Sequence, residues 1–172
     1  MKTSQHRLAT ALLLAILLTF LLCCRPNANK NGARARNQLS PETVRLLAAA
    51  TEGDVTEMDA AVKAGADVNG SDEVVGPPLV AAASTENREA VKFLVDKGAY
   101  VNATNNRGMT ALMMASASDR VETVQYLLAN GANPNSSTTI GIGTAKVTAL
   151  SLARSKKNET VVRLLRDAGA QE

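Results

Sequence analysis

The sequence predicts an all-α stack of about four helical repeats, on three observations. The segments Gly65-Ala66-Asp67-Val68-Asn69, Gly98-Ala99-Tyr100-Val101-Asn102 and Gly131-Ala132-Asn133-Pro134-Asn135 recur every 33 residues, and Gly169-Ala170 opens a fourth copy. A second submotif keeps a fixed phase to the first. Pro77-Pro78-Leu79-Val80-Ala81-Ala82-Ala83, Thr110-Ala111-Leu112-Met113-Met114-Ala115-Ser116 and Thr148-Ala149-Leu150-Ser151-Leu152-Ala153 each start 21 residues before a repeat glycine. Between the submotifs the apolar residues follow the helical period: Val121, Val124, Leu127 and Leu128 share one face, and Val91 with Leu94 and Val95, then Val162 with Leu165, repeat it. A single unit cannot bury such a face, whereas units stacked in register can.

Each element has a local cause. Ser40-Pro41-Glu42 is a helix start, with a serine cap, a proline in the first turn and a carboxylate facing the positive helix end. The glycines at 65, 98, 131 and 169 follow apolar helical runs, where a left-handed C-cap is wanted. The recurring apolar positions form columns that stack: Leu46, Leu79, Leu112 and Leu150 in the first helices, Met58, Val91, Val124 and Val162 in the second. Alanines at 49, 82, 115 and 153 let helices approach closely. Aromatic content is 2% with no Trp, so the interior is built from Ala, Leu and Val in closely packed layers rather than around a cofactor cavity.

These residues resemble the ankyrin-repeat pattern: the 33-residue period, the Gly-Ala-x-x-Asn stretch, and a Thr-Pro-Leu-His-type opening followed by alanines. The resemblance covers Pro41 to the C-terminus. It implies an ankyrin-repeat solenoid of about four helix-turn-helix repeats with β-turn fingers, the repeats running over about 41–72, 73–105, 106–143 and 144–172. The chain departs from the pattern in three ways. The motif histidine is replaced by Val80, Met113 and Ser151, so apolar contact must stand in for its hydrogen bonds in two repeats. The first copy has lost Thr-Pro, and its Arg45, Glu52 and Asp54 suit a terminal cap with a solvated outer face. The third finger is also enlarged. Asn102 to Thr110 is 8 residues while Asn135 to Thr148 is 13, an insertion of five within Ser136 to Val147 that carries Ile140 and Ile142 among glycines.

The front of the chain is different in kind. Lys2, His6 and Arg7 precede a 15-residue apolar run from Leu8 to Leu22, the arrangement of a secretory signal, and export across a membrane is expected. Three endings fit this leader, whose lipoprotein-like signal or signal anchor is residues 1–24. Leu21-Leu22-Cys23-Cys24 resembles the lipobox of bacterial lipoproteins, which would make Cys24 the lipidated residue; Ala33-Arg34-Ala35 suits ordinary cleavage; and Leu8 to Cys24, at 17 residues, suits an uncleaved anchor. Residues 25–40 are basic and lack apolar period, reading as a tether with a root-mean-square span of roughly 20 Å.

Function is bounded mainly by what the chain lacks. Six of its 19 Lys and Arg precede Asn37, so the remainder holds 13 against 16 Asp and Glu, a net charge near −3 that disfavours nucleic acid. Both cysteines and the one histidine lie in the leader, which removes thiol nucleophiles, imidazole bases and the usual zinc sets from the repeats. Asp72 with Glu73 sits at a finger tip, where solvated carboxylates are the ordinary explanation. The expectations are no catalytic residue, no metal, no cofactor and no small-molecule substrate. The sequons at Asn69, Asn102, Asn135 and Asn158 read as surface asparagines, three of them being the repeat's own Asn.

The ankyrin resemblance implies a protein-binding module whose fingers and first helices form the contact face. On this chain the positions without packing duty are Glu73, Val74 and Gly76, Asn106, Arg107 and Met109, and Ile140, Ile142, Lys146 and Val147, with Ser84, Thr85, Ala117, Ser118 and Lys156 beside them. The expected partner is another protein, met in the periplasm or at a membrane reached through the leader or its lipid. Exported ankyrin proteins of bacteria suggest a toxin-neutralising immunity protein or a scaffold for a periplasmic enzyme. The rival expectation is a lipid-anchored structural protein.

Overall fold

Short polar side chains set most of the helix starts. In the computed structural model, which describes residues 39–139 and 146–171, the first helix α1 (Pro41–Glu52) begins on Ser40, whose Oγ accepts the Thr43 NH at 3.2 Å. α2 (Val55–Lys63) begins on Asp54, whose carboxylate accepts from Thr56 and Glu57 at 3.0 and 3.1 Å. The pattern then repeats as hairpins: α3 (Pro78–Ala82) with α4 (Arg88–Asp96), α5 (Ala111–Ala117) with α6 (Val121–Ala129), and α7 (Ala149–Ser155) with α8 (Glu159–Asp167). Asn87 and Asn158 cap α4 and α8, and Thr110 and Thr148 cap α5 and α7. In the last repeat Thr148 and Ser151 form a reciprocal capping box, so the residue standing at the motif-histidine position acquires a local polar role there. Its counterparts Val80 and Met113 are each 1% exposed and pack into the core instead.

Each repeat has its second-helix glycine in the left-handed region, from φ +82° at Gly131 to +98° at Gly65, as the C-cap reading requires. The expected columns are the core. Leu46, Leu79, Leu112 and Leu150 are at most 2% exposed, Met58, Val91, Val124 and Val162 at most 5%, and the column Ala61, Leu94, Leu127 and Leu165 is fully buried. First helices pack on first helices and second on second, α1 to α3 to α5 to α7 and α2 to α4 to α6 to α8. At 0–2% exposure, the alanines at 49, 82, 115 and 153 are what permits that approach.

The ends of the stack are sealed by polarity. Leu47, Val80 and Met113 are buried where a further described repeat follows, while Ser151 in the same column is exposed; Ala50, Ala83 and Ser116 are buried and Arg154 is exposed. At the other end, Pro78, Ala111 and Ala149 are buried but Arg45 is exposed, and Ala90, Thr123 and Val161 are buried where the first repeat carries Glu57. Arg45 Nε donates to Glu57, so two residues in repeat-contact columns satisfy one another instead. Polar outer faces of this sort keep a short array soluble. The Arg45 hydrogen bond holds the Glu57 carboxyl below its usual range, and Lys63, 2.6 Å from Asp59, does the same there. A depressed carboxyl contributes stability above its unfolded pKa, lost as pH falls through the folded value. Both pairs are therefore expected to weaken below about pH 4, with a Glu57→Gln variant losing less stability on acidification than the parent.

The enlarged third finger is more ordered at its base than a loop insertion implies. β1 (Ser137–Thr139) and β2 (Lys146–Thr148) pair antiparallel, with Ser137 opposite Thr148, Thr138 opposite Val147 and Thr139 opposite Lys146. Branched Thr and Val suit a short ribbon, so five extra residues lengthen the finger without loosening its root. Residues 1–38, which hold the leader and Cys24, and residues 140–145, which hold Ile140 and Ile142, lie outside the described residues.

The turn within the last two helical hairpins carries a testable strain. Gly53 sits at φ +75° in the first, but the same turn in the last two repeats places Asp119 and Lys157 at φ +59°. A lysine there bears a Cβ penalty of about 1–2 kcal/mol. Lys157→Gly is expected to raise stability by about 0.5–1 kcal/mol after the entropic penalty of glycine, read as a higher urea midpoint with an unchanged slope.

Candidate partner-binding surface

The finger row is built from side-chain acceptors that close each tip and donors that tie it to the next. In the first finger Asp72 Oδ1 accepts the NH groups of Val74, Val75 and Gly76, the first and last at 3.1 Å. Asp72 is therefore a loop-closing acceptor rather than a solvated finger-tip charge. In the second finger Asn105 Oδ1 accepts from Arg107 and Met109, both at 3.0 Å, and the Asn105 NH returns to the Met109 carbonyl at 3.0 Å. Such closed turns fix where the intervening side chains project. Glu73 and Val74 at the first tip and Arg107 at the second are exposed, Val74 at 80%.

Two bonds then join the fingers across repeats. Asn106 Nδ2 donates to the Glu73 carbonyl, and Thr138 Oγ1 donates to the Arg107 carbonyl at 2.7 Å. Glycines allow the approach. A Cβ on Gly76, at φ +86°, would lie 2.4 Å from Asn105 Cβ, and one on Gly108, at φ +70°, would lie 2.4 Å from Thr138 Oγ1. The first two tips and the β1 strand of the third finger are thus held as one row before any ligand arrives, which lowers the ordering penalty on binding.

This geometry sorts the sequence-derived positions. Glu73, Val74 and Arg107 present their side chains outward, and exposed Lys146 begins β2 at the third finger. Asn106 is exposed but its amide is engaged on Glu73, so it positions the row. Met109 does not belong to the contact set. It is 7% exposed and part of the hydrophobic core, because the NH bond to Asn105 turns its backbone inward just ahead of α5. Of the flanking positions, Ser84 and Thr85 donate their hydroxyls to Ala81 and Ala82 at 2.9 and 2.8 Å and terminate the five-residue α3. Ala117 and Ser118 are half-buried at the end of α5, while Lys156 is exposed. Beside the third finger a groove of about 310 Å³ is lined by Ser137, Lys146, Thr148, Ser151, Asn135 and others.

Sequence reasoning missed the role of the repeat asparagines. Asn69 Nδ2 donates to the Gly98 carbonyl at 3.1 Å while its Oδ1 accepts the Tyr100 NH at 2.8 Å. Asn102 does the same with Gly131 and Asn133 at 3.0 and 2.8 Å, and Asn135 with Gly169 and Gln171 at 3.0 and 2.8 Å. They are clamps between successive repeats, not idle surface groups, and their recurrence every 33 residues was the available signal. Asn158, the fourth sequon asparagine, caps α8 and reaches Asp119. Also missed was Tyr100, 69% exposed where the neighbouring repeats carry Asp67 and Asn133. On the second helices Tyr126 OH meets Asp96 at 3.4 Å, and burial followed by that carboxylate holds its phenol above the ordinary value.

Among the described residues no three His, Cys, Asp or Glu side chains gather as a metal set, and no helix is long and apolar enough to cross a membrane. Compared with known proteins, the chain matches the family model described as Ankyrin repeats (3 copies) over residues 46–138. No curated protein matches it.

Proposed function

The chain belongs to the ankyrin-repeat family, whose repeats generally bind other proteins, and from that premise we propose that this one holds a partner protein on its finger row and adjoining first helices. The observation that carries the reading is the tied row: exposed Glu73, Val74 and Arg107 stand on tips whose carbonyls, at Glu73 and Arg107, accept side-chain bonds from Asn106 and Thr138 of the next finger. A rigid patch of mixed apolar and charged groups offers contact area with little entropy left to lose. Family members of this type typically act as binding modules without catalysis. A photo-crosslinking amino acid at Val74 or Arg107 should give a discrete partner adduct in the source cell, and one at exposed Lys63, away from the fingers, should not. Equal labelling at all three positions would sink the surface assignment.

The setting belongs to the same proposal. The basic start, the apolar run Leu8–Leu22 and the lipobox-like Leu21-Leu22-Cys23-Cys24 support export to the cell envelope, with the repeats held at a membrane through Cys24. Mass measurement of the mature N-terminus tests this: a diacylglycerol-modified Cys24 is expected, and an unmodified chain starting elsewhere would refute the lipid anchor. Within that setting the reading is an immunity-type protein that neutralises a toxin, supported by the binding face and the export signal. A toxin gene beside its own is the expected finding, whereas a neighbouring envelope enzyme would favour the scaffold reading.

A further inference from the structure

The stack carries a charge gradient along its axis. Net charge is −5 over residues 41–72, −1 over 73–105, 0 over 106–143 and +3 over 144–172. Two of the seven acidic side chains of the first repeat are fixed in place by structure: Asp54 caps α2 and Asp72 closes the first finger, each accepting backbone NH groups. The same order runs along the fingers, with Glu73 at the tip of the first, Arg107 at the tip of the second and Lys146 at the start of β2 in the third. All three are exposed, and none takes part in an ion pair among the described residues. Val74, 80% exposed, stands beside Glu73 on the first tip.

We infer that the surface takes an extended polypeptide segment whose charges run opposite to the gradient: basic side chains over the first finger, an apolar side chain on Val74, and acidic side chains over Arg107 and Lys146. This deepens the protein-binding reading and rests on it. The reason is additive. A segment in this order meets attraction at both ends, while one of uniform sign gains at one end and is repelled at the other, so the gradient selects orientation as well as partner. The bonds from Asn106 to the Glu73 carbonyl and from Thr138 to the Arg107 carbonyl, with the ribbon that pairs Lys146 with Thr139, hold the three backbones that carry these charges in one row. The charge pairs lie at the rim, and the discrimination they give is expected to weaken with added salt.

The test is selection from a random dodecapeptide display library on the full chain, followed by affinity measurement of the enriched peptides. Peptides with Lys or Arg at one end and Asp or Glu at the other are expected. Glu73→Lys and Arg107→Glu should each weaken them about tenfold, while circular dichroism and melting stay unchanged, because neither side chain packs. Enriched peptides without opposed ends, or binding unaffected by both substitutions, would overturn the charge order. If crosslinking at Val74 still yields a partner in that event, the protein-binding reading stands and only this inference fails.

Discussion

Leu112→Ala is expected to destabilise the repeats by about 3 kcal/mol, within the range of about 2–5 kcal/mol for truncating a buried leucine. Leu112 is 1% exposed in α5, with the first helices α3 and α7 packed on either side of it. The cavity would therefore open in two repeat interfaces at once. Stability in a stacked array is a sum of weak intrinsic terms and nearest-neighbour terms, so damage at a central interface uncouples the units flanking it. Urea unfolding followed by far-ultraviolet circular dichroism should show a lower midpoint. A shallower slope is also expected if the flanking repeats melt separately. A loss under about 1 kcal/mol would mean that the column does not carry the stack.

The second large effect is expected at Asn102, a residue the surface reading would treat as dispensable. Asn102→Ala removes the bonds to the Gly131 carbonyl and the Asn133 NH, at 3.0 and 2.8 Å. At about 1 kcal/mol each the loss is about 2 kcal/mol. Asn102→Asp should be no milder near neutral pH. It keeps the acceptor for Asn133 but points a carboxylate oxygen at the Gly131 carbonyl in place of a donor. Amide hydrogen exchange at Asn133 offers a local readout: its protection should fall in both variants, while that at Tyr100, held by Asn69, should persist. If both variants unfold at the parent midpoint, the asparagines are not clamps. The same geometry bears on the sequons, since a sugar on Asn102 would take the place of a hydrogen on the amide that holds the next repeat.

The departures between reading and structure share one cause. Met109 looked free because its position in the finger carries no repeat signature, yet the Asn105 side chain folds the loop so that Met109 enters the core. Arg45 lies on the solvated cap face as its sequence position suggests, but its partner there, Glu57, is 12 residues away on the other helix of the hairpin. The third finger read as an exposed loop, and its roots pair as strands, because Thr138 and Val147 meet only once the hairpin has closed.

Much that is periodic or local was legible along the chain: the 33-residue unit, the leucine, valine and alanine columns, the serine cap at Ser40, and the glycines that end each second helix. Those features depend on a residue's nearest neighbours or on its recurrence in each repeat, and one dimension holds both. Which polar groups are occupied was settled by folding in three dimensions. Asn69, Asn102 and Asn135 are bound by a glycine carbonyl 29 to 34 residues on, and the finger tips by donors 31 to 33 residues on. A hydrogen bond needs its partner within about 3 Å and correctly aimed. Spacing along the chain brings two repeats into register, but only their packing sets that distance.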